Sequence, residues 1–208
     1  MASISACLVA GACLADGRCW GCCCWAEALA TIRALWDSGG DLVTRDSEWF
    51  PLHNAIFTLP PYKGKWPPIW VAAHGPRTLR ATGRYADAWF PVAIGPAERY
   101  ADGLAQVRAA ADDAGRNPAA IEAACWMFVI TGRSRDEVDE VLDSTAVKAF
   151  GLNAPASEWE RHGARHPLGD GFGGFTEFLP QALDEETVLE YVRAVPDSLM
   201  RENVLPGT

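Results

Sequence analysis

Apolar side chains recur along this chain at two different intervals, and the switches between them outline its elements. Leu29, Ile32, Leu35 and Trp36 keep helical spacing, which predicts an amphipathic helix over residues 26–36. Gly39 and Gly40 end it. Residues 41–65 hold no sustained period. Val43, Phe50, Leu52, Ile56, Phe57 and Leu59 are scattered among Pro51, Pro60 and Pro61, with His53 as a loop histidine. So long a connection is expected to pack as a lid or to serve the function directly. Ile69-Trp70-Val71-Ala72-Ala73 is then an unbroken apolar run of strand length, the pattern of a strand buried on both faces. A helix with Leu79, Ala81 and Tyr85 follows over 78–85, and Gly83 predicts that it is short or bent.

The same alternation repeats twice. Residues 86–92 read as a second buried strand. Past Gly95 and Pro96, the four-three-four spacing of Tyr100, Leu104, Val107 and Ala111 predicts a helix over 97–114. Gly115 and Pro118 stop it. Residues 123–130 read as a third strand. Ser134-Arg135-Asp136-Glu137 has the form of a capping box and opens a helix that ends near Phe150. Three strand–helix units imply right-handed crossovers and a parallel α/β sheet, either open and doubly wound or part of a (β/α)8 barrel. The tail is glycine-rich over 153–175, with Trp159, His162 and His166. Asp184 is expected to cap a helix over 185–195, which Pro196 breaks. A last turn over 198–202 closes the chain, and no further strand is expected.

Ligands of parallel sheets bind where strands end at their carboxyl side. That directs attention to His74, Gly75, Pro76 and Arg77, after the first strand. Glycine lets a ligand approach the backbone, and the N–H groups of the following helix can hold an anion. A phosphate or cofactor site is one reading, and a plain strand-to-helix turn is the other.

Composition narrows the classes. At 208 residues the chain makes one large domain or two small ones. Its net charge of −9 argues against a general nucleic-acid binder but leaves room for an anionic small ligand. No apolar run reaches the length of a transmembrane segment, and residues 1–17 lack a positively charged leader, so a cytoplasmic location with reduced thiols is expected. Six of the seven cysteines crowd into the first 25 residues, with Cys19-Trp20-Gly21-Cys22 as a C-x-x-C. A redox motif needs a strand before it, and a zinc site needs a second ligand pair; neither is visible. His162 and His166 are four apart, but Gly163 lies between them, Pro167 follows, and no third ligand is evident. No metal site is expected. The abrupt change at Ala26 sets 1–25 apart as disordered or artefactual, and leaves 26–208 as the folded domain.

Residues 27–36, Phe50-Pro51-Leu52-His53-Asn54-Ala55, Trp70-Val71-Ala72-Ala73-His74-Gly75-Pro76-Arg77 and residues 79–89 together resemble the luciferase-like monooxygenase superfamily. The resemblance favours its deazaflavin-dependent branch, and within that the ketoreductases of phthiodiolone-type dimycocerosate lipids. It runs from Glu27 to Thr208. It implies a partial (β/α)8 TIM barrel whose fifth, sixth and seventh strands are residues 69–73, 86–92 and 123–130. It implies that Ala73, His74, Gly75 and Pro76 contact the cofactor phosphate, with Val92 and Ala93 from the next strand end. The implied cofactor is coenzyme F420, ahead of FMN. The implied reaction is hydride transfer from the reduced deazaflavin to a ketone on a very long lipid, and relatives are commonly homodimers. Relatives also place an Asp-His pair on strands that precede the helix at Glu27, and no residue here matches it. The catalytic residues are therefore expected in an N-terminal barrel half missing from this chain. The alternatives are an inactive remnant of such an enzyme, or a thiol- or metal-binding protein built on the cysteine cluster.

Overall fold

A computed structural model describes residues 23–92, 95–174 and 183–207. The chain divides after Trp126 into two compact units. The first opens with α1 (Cys23–Trp36), which Gly39 and Gly40 terminate at positive φ of 63° and 95°. Where the sequence suggests an irregular connection, the chain builds an antiparallel hairpin, β1 (Val43–Arg45) and β2 (Leu52–Ala55). Strands of three and four residues are too short to display a period. Polar ties fasten the hairpin region to α1. The Glu27 carboxylate accepts from Ser47 Oγ and from Trp49 N–H at 3.2 Å, and Arg45 donates to Thr31 Oγ1 at 2.9 Å.

The centre of this unit is a parallel sheet. β3 (Trp70–Val71), α2 (Pro76–Tyr85), β4 (Ala88–Trp89), α3 (Ala97–Asp113) and β5 (Glu122–Ala123) alternate, and the strands lie in the order β3-β4-β5. Trp70 pairs with Ala88 and Ala88 with Glu122. Leu29, Val71, Ala73, Leu79, Trp89, Val107, Ala111 and Ile121 form its core. The helix over 97–114 thus buries the expected stripe, with Tyr100 and Leu104 packed at its margin. The first strand is not buried on both faces. Val71 is fully buried, yet Trp70 is 44% exposed and meets Phe90 edge-on at 5.5 Å. An apolar run shows what a strand could bury, not what packs against its second face.

Two glycines set the helix positions. A Cβ on Gly83 would strike α3 at Val107 O, at Ala110 Cβ (2.7 Å) and at Ala111 N (2.8 Å). Gly83 therefore serves close packing of α2 on α3 and does not break α2, which runs on to Tyr85. A Cβ on Gly103 would meet the Trp89 ring at 2.5 Å.

The expected third strand over 123–130 is two pieces. Glu122 and Ala123 complete the first sheet, whereas β6 (Phe128–Thr131) lies in the second unit. There it pairs in parallel with β7 (Val204–Gly207), a strand the sequence reading did not expect. Pro206 at the edge of a two-stranded pair hides it. Between them run α4 (Arg135–Leu142), α5 (Thr145–Lys148), α6 (Ala156–Arg161), α7 (Glu185–Arg193) and α8 (Asp197–Asn203). The helix expected to reach Phe150 breaks at Asp143–Ser144, where Ser144 caps α5. Ser134 Oγ accepts from Glu137 N–H at 3.2 Å as the capping box requires, but Glu137 reaches back one residue further, to Arg133 N–H at 2.8 Å. Asp184 caps α7 through Thr187 N–H at 2.8 Å. Leu152, Trp159, Phe172, Val192, Val195 and Leu199 form the main core of this unit. The whole is a mixed α/β fold with parallel strand pairs, and among the described residues the strands close no barrel.

Candidate functional site at the carboxyl end of the parallel sheet

The register of β3, β4 and β5 brings three chain segments to one sheet end. Phe90 N–H donates to Val71 O at 2.8 Å, Ala124 N–H to Trp89 O at 3.1 Å, and Trp126 N–H to Pro91 O at 2.9 Å. Val92 forms an isolated parallel bridge with Trp126. Ala73, His74, Gly75 and Pro76 leave β3 at this same end. Ala73 is buried, and its carbonyl accepts the Trp89 indole N–H at 2.9 Å. His74, Gly75 and Pro76 are exposed. The strand end is thereby fixed from below while the turn above it faces solvent.

The turn is the N-terminus of α2. Gly75 is its N-cap at φ −82° and ψ 154°, and Pro76 stands at the first helical position, where its missing N–H costs nothing. Gly75 O accepts both Leu79 N–H and Thr78 Oγ1–H at 2.9 Å. A Cβ at Gly75 would meet only Thr78 Oγ1, at 3.7 Å, so the space above this residue is open. Glycine is not needed here for its backbone freedom, since any residue adopts this conformation. What it leaves is room.

The opposite end of α2 is neutralised. Arg33 Nη2 donates to Tyr85 O at 3.1 Å, and Arg116 Nη2 to Ala86 O at 2.7 Å, satisfying carbonyls at the negative pole. Asp87 receives Arg33 at 2.7 Å, lies 3.6 Å from Arg116, and accepts Ile69 N–H at 2.8 Å, locking the entry of β3. The positive pole lies at Gly75, whose surroundings are open. An anion there would meet first-turn N–H groups and the helix dipole.

Tyr100 reads from the sequence only as part of a helix stripe, and Trp89 as part of an apolar strand. Tyr100 stacks on Trp89 at 5.0 Å and donates its hydroxyl to Ala124 O at 3.2 Å. Burial first, and then the neighbouring Cys125, push its phenol pKa up. Ala93 and the Cys19–Cys22 motif lie outside the described residues. His53 is exposed on β2, away from any predicted role.

The two tail histidines do not converge. His166 is buried between Trp159 and Phe172, at ring distances of 4.6 and 4.2 Å. Its Nδ1 accepts Leu168 N–H at 3.1 Å, so Nε2 carries the proton towards Leu152 O at 3.2 Å. Burial lowers its pKa. His162 Nδ1 instead meets Ser198 Oγ at 2.9 Å, beside Glu158 and Glu202. Arg161 already engages both carboxylates at 2.8 Å.

The luciferase-like monooxygenase family model matches residues 25–208. Phthiodiolone/phenolphthiodiolone dimycocerosates ketoreductase of Mycobacterium tuberculosis is 56% identical over 182 residues, which are 88% of this chain and 48% of that protein. The protein of the same name from Mycobacterium sp. (strain JLS) is 59% identical over the same shares. The chain thus spans about half the length of the curated relatives it matches. Among solved structures, an F420-dependent secondary alcohol dehydrogenase in complex with an F420-acetone adduct superposes with a TM-score of 0.59 at 21% identity. It covers 88% of this chain and 47% of that one. That likeness shows the fold. With the family model spanning nearly all of the described chain, this protein belongs to the luciferase-like monooxygenase family.

Proposed function

We propose that this chain carries the cofactor-phosphate wall of a coenzyme F420-dependent ketoreductase acting on a phthiodiolone-type lipid ketone. The observation that carries the reading is the open N-terminal turn of α2, set at the common carboxyl end of three parallel strands. In this reading β3, β4 and the stretch from β5 to Trp126 are consecutive strands of a (β/α)8 barrel. Their second face, with Trp70, Phe90 and Trp126, belongs to the barrel interior. The ketoreductase name of relatives above 55% identity supplies the substrate class. A ketone reduction needs a hydride donor, and F420 is the one named for a protein of the same fold.

The bound deazaflavin supplies the hydride chemistry. Residues of this chain do the holding. Ala73 is anchored by Trp89, which fixes where the strand ends. Gly75 gives the phosphate space, the first turn of α2 gives donors, and Arg33 with Arg116 quiets the far helix pole. Val92 would close the adjoining edge. Rigid placement of the cofactor serves donor–acceptor geometry, on which hydride transfer depends.

Titration of the full chain with F420, followed by cofactor fluorescence, tests the reading. Saturable binding is expected. Gly75→Asp should weaken it about tenfold or more, since a carboxylate at the positive helix pole opposes a second anion. The same change should leave the urea midpoint equal or higher, because Asp is a favoured N-cap and the backbone there admits any residue. Absence of saturable binding, or equal binding by the variant, contradicts it.

A further inference from the structure

Residues 49–86 contain no aspartate or glutamate, although the chain carries 27 acidic residues and a net charge of −9. The stretch holds Lys63, Lys65, Arg77, Arg80 and Arg84. Lysine occurs elsewhere in the sequence only at Lys148, so the two lysines two residues apart at 63 and 65 are a local concentration. They lie in an exposed loop whose ends are fixed. Trp66 stacks on Trp36 of α1 at 5.2 Å, Phe57 meets Trp66 at 5.7 Å, and Arg33 sits 6.0 Å over Trp36. Between Phe57 and Trp66 the chain is largely exposed, and Pro60 and Pro61 stiffen it.

That loop is apolar as well as basic. Leu59 is 69% exposed and Tyr62 78% exposed, with Ile56 at 62% just before Phe57. Lys63 Nζ lies 5.2 Å over the Tyr62 ring. Large exposed apolar side chains beside lysines, in a stretch of sequence without acids, are the elements of an interfacial anchor. Aromatic and aliphatic groups enter the headgroup boundary while lysines pair with anionic headgroups.

We propose that the loop of residues 58–65 docks this protein onto an anionic lipid surface. Charge complementarity selects the occupant. The rest of the molecule is strongly acidic and is repelled by such a surface, so the approach is oriented with the acid-free stretch foremost. The proposal stands independently of the reductase reading, and if both hold, it brings the protein to where a very long-chain substrate resides.

The test is co-sedimentation of the full chain, without cofactor, with vesicles of phosphatidylcholine alone or with phosphatidylglycerol added. Binding is expected to the anionic vesicles only, and to fall as salt rises. Each lysine near such a surface is worth roughly fivefold in partition, so Lys63→Gln/Lys65→Gln should lower it about 25-fold. Leu59→Ser/Tyr62→Ser should also lower it, by about tenfold, through loss of apolar insertion. Both pairs are exposed, so circular dichroism should match the parent. Arg133→Gln/Arg135→Gln, a charge change of equal size in the second unit, should leave binding unchanged. Equal binding to neutral vesicles, no binding to either, or equal losses in all three variants overturns the proposal.

Discussion

Gly83→Ala separates two explanations that predict opposite signs. Helix propensity alone says the change stabilises α2 by about 1 kcal/mol, because alanine is the better helix former. Packing says otherwise. The new Cβ would lie 2.7 Å from Ala110 Cβ and 2.8 Å from Ala111 N, and closer still to Val107 O. Two of those three atoms are backbone, so relief requires α2 and α3 to separate. Overpacking of this kind costs roughly 1–3 kcal/mol, and contacts with backbone place it at the upper end. The net expectation is a loss of about 1–2 kcal/mol. Eight of the nine tryptophans lie at or before Trp126, so urea unfolding followed by tryptophan fluorescence reports chiefly on the first unit. The midpoint should fall with the slope unchanged. A midpoint equal to or above the parent's would refute the close-packing role of Gly83.

Other expectations follow from single contacts. Asp87→Ala removes the acceptor of Ile69 N–H and the partner of Arg33, and should destabilise the first unit by about 2 kcal/mol, read as a lower urea midpoint. Ser134→Ala removes the cap of α4 and should cost about 1 kcal/mol, read as faster amide exchange in its first turn. His166 is held neutral with its pKa lowered by burial, so the unfolded chain takes up its proton first. Its stability contribution is complete above about pH 6.5, the unfolded value, and is lost as pH falls towards the lower folded value. The urea midpoint between pH 7 and pH 5 should therefore drop less steeply in His166→Phe than in the parent. An unchanged slope would count against the buried neutral imidazole.

Local signals in the sequence foretold local structure. The stripe on α3 and the caps at Ser134 and Asp184 depend on neighbours within a few residues, and all three form. Features that need a distant partner were not legible. The pairing of Phe128 with Val204 joins segments 76 residues apart, and Pro206 masks the second strand. The hairpin between Val43 and Ala55 is held by Glu27 and Thr31 on α1, which no pattern within 41–65 encodes. Trp70 reads as core because it is apolar among apolar neighbours, yet its partner face is not supplied by the described residues. The turn from Ala73 to Pro76 follows a parallel strand at its carboxyl end, as the apolar run ahead of it implies. Its support from the Trp89 indole is not legible in the sequence, since that bond spans 16 residues and Trp89 looks like core packing.

Hydrogen–deuterium exchange of the full chain, with and without saturating F420, tests the proposed role of the α2 turn most directly. Protection is expected at residues 73–79 and around Val92, with the second unit from Met127 onward unchanged. Exchange that is unaltered at 73–79 under saturating cofactor, or protected only beyond Met127, would contradict it.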